Sequence, residues 1–511
     1  MFLDRAYQRP TSDSKLPPCY TPPMHVRTRY APSPTGVPHI GNLRTALFAY
    51  LLARRHGGQF LVRIEDTDRT RLDESAVPKI LESLRWLGLD WDEGPDIGGP
   101  HGPYTQSERV PMYRAAADRL IAQGDAYECW CSSQRLDAVR ADHQLRKLPP
   151  KYDRRCREPE GQAEGRREAE AEGRSCVVRF KTPLDGFVTL QDAVHGDTTF
   201  DLATLDDFVM LKSDGFPTYH LAYIVDDQDM QITHVLRGDE WISSAPRHLL
   251  VYRALGIEPP VLAHLPLILG PDGSKLSKRH GATSVFEYRD QGYLPDAIVN
   301  FLALLGWSLD DHTEVMTRAQ LIEHFSLDRV VRNPAVFNVE KLTWMNGVYI
   351  REMPEAELTA LFADRLDADL PAAIARPVDR AVVARITPLI RERVKLLTEV
   401  ADYCDFFFTD DLRYTREDLL GKAYAARPDD ARAAIERAAA VVAAAPAFTH
   451  DALEADLRAL AGQIGAKPGD LFSLVRLAVT GRRVTPPLFE SMEILGRDRC
   501  LARLRAAAAS L

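Results

Sequence analysis

The 511-residue sequence predicts an α/β protein in which a parallel-sheet domain is split by an α+β insert and followed by an all-helical C-terminal half. Three observations carry that expectation. Residues 26–64 read as a strand, a small-residue loop, a helix and a second strand. Residues 108–207 switch to short helices and strands around a group of cysteines. Beyond about residue 286, segment after segment places apolar residues at a 3.6-residue period.

The first unit is the most informative. Residues 26–30 form a short strand, and Pro32, Pro34 and Gly36 forbid a helix directly after it. Pro38-His39-Ile40-Gly41 leads into a helical pattern with Leu43, Leu47, Tyr50 and Leu51 on one face. Gly57 and Gly58 stop that helix, and residues 59–64 are apolar enough for the next strand. Such a Rossmann-type βαβ unit presents its loop and helix N-terminus at the carboxyl edge of the sheet. Free N–H groups and the helix dipole favour phosphate there. His39 is placed to donate to a phosphoryl oxygen, and Gly41, lacking a Cβ, lets a nucleotide lie against the backbone.

A second stretch strengthens the phosphate reading. Gly273-Ser274-Lys275-Leu276-Ser277-Lys278-Arg279-His280-Gly281 follows an apolar run and packs three cations into five residues. Cations in a Gly/Ser-flanked loop suit a clamp on a polyphosphate. On its own, a basic loop is more often simply solvated.

Composition sets the outer bounds. Hydrophobic residues make up 45% and charged residues 27%, ordinary for a globular chain of several domains. No apolar run reaches membrane-spanning length. A net charge of −9 argues against sequence-blind nucleic-acid binding but not against a specific RNA met by local basic patches. Seven cysteines, an odd number, fit a reducing compartment better than a disulfide framework. Cys129-Trp130-Cys131 and Cys156, with 24 residues between the last two, have a spacing that can close on zinc if the connecting helix folds back. Tyr152 and Glu158 are the alternatives for a fourth ligand. Residues 1–24 are Pro-rich and polar without a signal-type apolar core; they read as a disordered tail, with Met24 as a candidate start.

P-H-I-G-N (38–42) and K-L-S-K-R (275–279) together resemble the two signatures of class I aminoacyl-tRNA synthetases. The words T-R-Y-A-P-S-P-T-G (28–36), V-R-I-E-D-T-D (62–68), G-P-Y-T-Q-S-E-R (102–109), L-K-S-D-G-F-P-T-Y-H-L-A (211–222), V-D-D (225–227), H-V-L-R-G-D-E-W (234–241) and W-M-N-G (344–347) are similar to the glutamyl-tRNA synthetases of bacterial type. The resemblance runs from about Val26 to the C-terminus. It implies a glutamate–tRNA ligase acting as a cytoplasmic monomer on L-glutamate, ATP with Mg2+, and tRNA(Glu). It also implies that tRNA is bound before activation, and it leaves tRNA(Gln) open as a second substrate.

Site residues follow by the same resemblance. His39, Lys275 and Lys278 are the expected catalytic groups, with Gly41, Trp241, Ser277 and Arg279 joining them around ATP. Arg29, Ala31, Ser33, Glu65, Tyr219 and Arg237 are expected to line the glutamate site, Glu65 against the α-amino group. One family member has asparagine where this chain has Tyr223. A zinc module of some relatives matches Cys129, Cys131 and Cys156, and favours Tyr152 over Glu158, where some relatives have histidine.

The expected organisation is a tail (1–24), the first half of the catalytic domain (25–107), an acceptor-end-binding insert (108–207) and the second half of the catalytic domain (208–285). A helical stem-contact segment (286–350) and a helical anticodon-binding domain (351–511) complete it. Within the helical half, Pro388 is expected to kink or split a helix over residues 381–403, and Ala-rich 431–445 is expected to be helical up to Pro446. Arginines of the 475–481 helix are expected on solvated faces. V-R-I-E-D-T-D and the all-helical C-terminal half favour the glutamate enzyme over glutaminyl-tRNA synthetase, whose anticodon domains are β-barrels. Intact His39, Lys275 and Lys278 weigh against a non-catalytic RNA-binding paralogue.

Overall fold

A computed structural model describes residues 25–277, 279, 281 and 284–511. The tail, with Cys19 and Met24, and the signature residue Lys278 lie outside the described residues. The chain divides into two compact units: one holds residues up to 284 together with 302–337, the other 285–301 and 338–511. Among the described residues no helix is long and apolar enough to cross a membrane.

The first unit begins with β1 (Arg27–Tyr30), α1 (Ile40–Arg55) and β2 (Gln59–Val62), the two strands pairing in parallel. Gly57 takes φ +60°, and a Cβ on Gly58 would lie 2.0 Å from the carbonyl oxygen of Val26. Only a glycine lets the chain turn so tightly from helix to strand. α1 is more buried than its single apolar stripe suggests, since Phe48, Ala49, Leu52 and Ala53 are also inside. A helix covered nearly all round is a central element of its domain.

After α2 (Ala76–Trp86) and α3 (Val110–Gln123), the insert contributes β3 (Ala126–Cys129), α4 (Ser133–Leu145), α5 (Pro159–Glu172) and β4 (Val177–Phe180). α5 occupies the charged, low-complexity segment and is mostly exposed, as its composition suggests. It touches the insert through Gly165, where a Cβ would come 3.3 Å from Cys156 Sγ. β5 (Phe187–Asp192) and β6 (Gly196–Asp201) form an antiparallel hairpin, and β7 (Val209–Leu211) joins β3 and β4 in a three-stranded sheet.

The second half supplies α6 (Tyr219–Asp229), β8 (His234–Gly238), α7 (Ala245–Leu255), β9 (Val261–Leu265) and the short β10 (Ile268–Leu269). β8 and β9 run parallel, and β5 pairs with β9 in parallel at Asp192 and Leu262, giving the order β6-β5-β9-β8. Thr233, just before β8, donates its N–H to Arg27 O at 2.9 Å and accepts Val261 N–H at its own O at 2.9 Å. Through Thr233 the β1–β2 pair lies beside β8, so the carboxyl ends of β1, β2, β8 and β9 share one edge.

The second unit is helical, with one core running through Leu358, Phe362, Ile390, Phe406, Leu457, Leu474 and Leu504. The Ala-rich segment is a helix from Pro428 to Ala444, started by proline in its first turn and burying Ala431, Ala434, Ala438 and Val442. The expected 381–403 helix is split: Arg380–Ile390 runs through Pro388 and ends two residues beyond it, and Val400–Cys404 is a separate helix. Arg476, expected on a solvated face, is half-buried and donates to Thr485 Oγ1 at 2.6 Å and Pro486 O at 3.0 Å.

Candidate active site

At the shared strand edge of the first unit lies a cleft of about 800 Å³. Its walls include Arg29, Ala31, Ser33, His39, Gly41, Glu65, Tyr219, Arg237, Trp241 and Lys275. Every glutamate-site residue expected from the sequence therefore meets there, with four of the seven expected around ATP. Ser277 and Arg279 do not line it: Arg279 Nη2 donates to Asp272 Oδ2 at 3.1 Å and to Ser274 Oγ at 2.5 Å.

His39 is the N-cap of α1. Its Nδ1 accepts the N–H of Gly41 at 3.1 Å, which fixes the neutral ring as the Nε2–H tautomer. Nε2 is buried without a partner among the described residues, leaving a donor for a ligand. Burial, aided by nearby Lys275, pushes the imidazole pKa below its ordinary value, so the ring stays neutral. A Cβ on Gly41 would sit 3.3 Å from His39 Nδ1, close enough to press on the ring. Lys275 is presented by a tight reversal after β10: Lys275 bridges Leu269, Leu276 N–H donates to Ile268 O at 3.0 Å, and Gly270 N–H donates to Ser274 O at 2.8 Å.

The opposite side of the cleft is a buried charge lattice. Asp227 accepts from Arg29 Nε at 3.1 Å and from Arg63 Nη1 at 2.7 Å. Arg63 Nη2 donates to Glu65 Oε1 at 3.0 Å. Beneath it Asp226 accepts from Arg109 Nε at 2.7 Å, Gln106 Nε2 at 2.8 Å and the Tyr113 hydroxyl at 2.9 Å. Burial opposes the Asp227 carboxylate, yet Arg29 and Arg63 outweigh it and hold its pKa below the ordinary value. For Glu65 burial prevails over Arg63 and Arg29, so its pKa is raised. Glu65 is thus a buried carboxylate that an ammonium group would stabilise. Its N–H donates to Pro32 O at 2.9 Å, tying the loop after β2 to the loop after β1.

Tyr219 and Trp241 lie with ring centroids 4.1 Å apart, tilted by 35°, and Tyr223 stacks on Tyr219 at 4.8 Å with rings nearly parallel. The Arg237 guanidinium sits 5.3 Å from the Tyr223 ring centroid. Tyr223 therefore supports the two residues expected on the substrate, Tyr219 and Arg237.

In the insert, Cys129, Cys131 and Cys156 bring their sulfurs within 4.8 Å of one another. The Tyr152 hydroxyl lies 3.3 Å from Cys129 Sγ and 3.5 Å from Cys131 Sγ. Three thiols and a phenol converging on one point fit a tetrahedral zinc. Glu158 is exposed and is not part of the cluster.

Several residues at this site had no individual signal in the sequence. Arg63, Asp226 and Asp227 sit inside motifs quoted above without an assigned role. Asp192, His248 and His264 are isolated in sequence and brought to Arg237 only by the fold.

At one edge of the parallel strands the fold thus sets a loop that favours phosphate, a lysine hairpin and a buried arginine–carboxylate lattice. Residues 25–344 match the family of class I tRNA synthetases (E and Q), catalytic domain, and residues 357–508 match an anticodon binding domain. The chain belongs to this class I tRNA synthetase family. It is 53% identical to a glutamate–tRNA ligase of Dehalococcoides mccartyi, over 95% of this chain and 98% of that one. It is 47% identical to a glutamate–tRNA ligase of Moorella thermoacetica, over 94% and 98%. A crystal structure of a glutamate tRNA ligase from Elizabethkingia meningosepticum, in complex with its amino acid, superposes with a TM-score of 0.86 at 33% identity, over 95% of this chain and 99% of that chain.

Proposed function

We infer that the chain is a glutamate–tRNA ligase, which activates L-glutamate with ATP and transfers it to the terminal adenosine of tRNA(Glu). The observation that carries this reading is one cleft holding both a phosphate-directed histidine donor and buried groups of both signs for an amino acid. In the first step a substrate carboxylate oxygen attacks the α-phosphorus of Mg-ATP, forming the glutamyl-adenylate and releasing pyrophosphate. Charge builds on phosphoryl oxygens, so catalysis is positioning and electrostatic stabilisation. His39 Nε2–H donates to a phosphoryl oxygen, Gly41 leaves room for the nucleotide, and Trp241 flanks it. Lys275 and Lys278 neutralise the polyphosphate, with Ser277 and Arg279 supporting that loop. Glu65 takes the α-ammonium, while Arg29 and Arg237 face carboxylates; Ala31, Ser33 and Tyr219 complete the pocket. In the second step the adenosine 2′-hydroxyl attacks the adenylate carbonyl and AMP leaves, its phosphate accepting the hydroxyl proton.

The insert (108–207) takes the acceptor end, residues 286–350 contact the stem, and residues 351–511 read the anticodon. Charging of labelled glutamate and glutamine onto purified tRNA(Glu) and tRNA(Gln) tests the reading. Glutamate on tRNA(Glu) is the expected product; glutamine charging, or none, would contradict it. Glutamate on tRNA(Gln) as well would make the enzyme non-discriminating. The chain acts as a cytoplasmic monomer, and sedimentation at a mass near 57.2 kDa checks the monomer.

Cys129, Cys131, Cys156 and Tyr152 hold one structural zinc in the insert. Metal analysis of protein made in zinc-replete medium should find about one zinc per chain, lost on Cys131→Ser. Protein free of zinc would remove this part of the proposal.

A further inference from the structure

Arg237 is a buried guanidinium with no carboxylate in ion-pair range among the described residues, unlike Arg29 and Arg63, which share Asp227. Its partners are neutral. Nε donates to His264 Nε2 at 2.9 Å, Nη2 lies 3.3 Å from His248 Nδ1, and Nη1 donates to the Tyr219 hydroxyl at 3.4 Å. An arginine can only donate, so it dictates the tautomers around it. His264 must accept at Nε2 and therefore carries its proton on Nδ1. That Nδ1–H meets Asp192 Oδ2 at 2.5 Å. His248 must accept at Nδ1 and carries its proton on Nε2, 2.9 Å from His220 Nδ1.

Asp192 is itself tightly held. Oδ1 accepts the N–H groups of Val194 at 2.9 Å and His195 at 2.8 Å, and Oδ2 accepts the N–H of His264 at 3.1 Å. The pairing of β5 with β9 at Asp192 and Leu262 brings this carboxylate to His264, two residues further along β9. Asp192 and His264 are both buried along the path from β5 to the cleft wall. Burial opposes the Asp192 charge, but the bonds from His264, His195 and Val194 outweigh it and keep its pKa below the ordinary value. Burial also keeps the His264 pKa low, despite Asp192.

We propose that Asp192 and His264 are positioning residues: they lock the Arg237 guanidinium in one orientation while leaving its charge uncompensated for a substrate carboxylate. Of five guanidinium N–H groups, three are taken by His264, His248 and Tyr219. One N–H on each terminal nitrogen is left, and a carboxylate can accept two such N–H groups with its two oxygens. A direct aspartate partner would have occupied that pair. A neutral imidazole orients the guanidinium without competing, and Asp192 holds the imidazole in the tautomer that can accept. The proposal rests on reading this cleft as a glutamate site.

The test is steady-state charging of glutamate with His264→Asn, His264→Gln and Asp192→Asn, measured with the full chain. Asparagine at 264 can still donate toward Asp192 but cannot reach Arg237. Asparagine at 192 turns an N–H toward His264 and favours the wrong tautomer, setting two donors against each other at Arg237 Nε. Both variants should raise the KM for glutamate at least tenfold while the KM for ATP changes less than twofold. His264→Gln, whose carbonyl reaches the Nε2 position, should recover most of that loss. Glutamate KM within twofold of wild type for both variants, or glutamate and ATP KM rising together, would overturn the proposal. A measurement on the unaltered protein decides the same question if a variant does not fold. Nitrogen NMR of histidine-labelled enzyme should show His264 neutral with its proton on Nδ1; an Nε2–H ring or an imidazolium would overturn it. Wild-type enzyme that fails to charge glutamate would sink the functional reading instead, independently of the variants.

Discussion

Asp227→Asn should destabilise the sheet-bearing unit by about 3–5 kcal/mol, the range for removing one partner of a buried ion pair. Asp227 is 1% exposed at its side chain and accepts from Arg29 and Arg63, both nearly inaccessible. An amide keeps the shape but removes the charge and turns an N–H toward guanidinium groups that can only donate. Arg63 would keep only Glu65 and Asp226, the latter already bound to Arg109, and Arg29 would lose the one ion pair it makes among the described residues. Asp229→Asn is the control, because Asp229 also pairs with Arg109 yet has a side chain 40% exposed. It should cost less than about 1 kcal/mol. Hydrogen exchange of the α6 amides, compared among wild type and both variants, reads the effect locally. Equal losses for the two variants would show that the Asp227 lattice is not a structural keystone.

His39→Asn should lower kcat about 100- to 1,000-fold, the usual effect of deleting one oxyanion donor, with the melting temperature and glutamate KM little changed. Asparagine is a good N-cap, and its carbonyl can accept the Gly41 N–H that His39 Nδ1 accepts now. What it lacks is a second nitrogen where the buried Nε2–H of His39 stands, unpartnered among the described residues. The substitution therefore separates the capping role from the chemical one. A fall in melting temperature with little change in kcat would make His39 a cap and nothing more.

The strands, the central helix and the helical half were legible because each depends on local signals. Paired glycines at 57 and 58 stop α1, alanines fill the 428–444 helix, and apolar residues recur at helical spacing. The cleft's walls were legible for a different reason: His39, Glu65, Tyr219 and Arg237 each sit in words long enough to resemble a family. What stayed hidden was chemistry made by long-range pairing. Asp192 and His264 are 72 positions apart and meet only because β5 joins the sheet beside β9. No periodicity marks either residue. Likewise nothing in the sequence marks Arg63 as the centre of three carboxylates, Glu65, Asp226 and Asp227, which the fold brings around it. Tyr223 shows the reverse. A departure from one relative's asparagine left a substrate contact open, and packing turns the residue into support for Tyr219 and Arg237 instead.

The central claim is that this cleft joins glutamate to the α-phosphorus of ATP. Exchange of labelled pyrophosphate into ATP, measured with tRNA(Glu) present and with glutamate or glutamine as the amino acid, tests it most directly. The account predicts exchange that requires glutamate and falls 100-fold or more in His39→Asn. Exchange supported by glutamine but not glutamate, or equally fast in the variant, would contradict it.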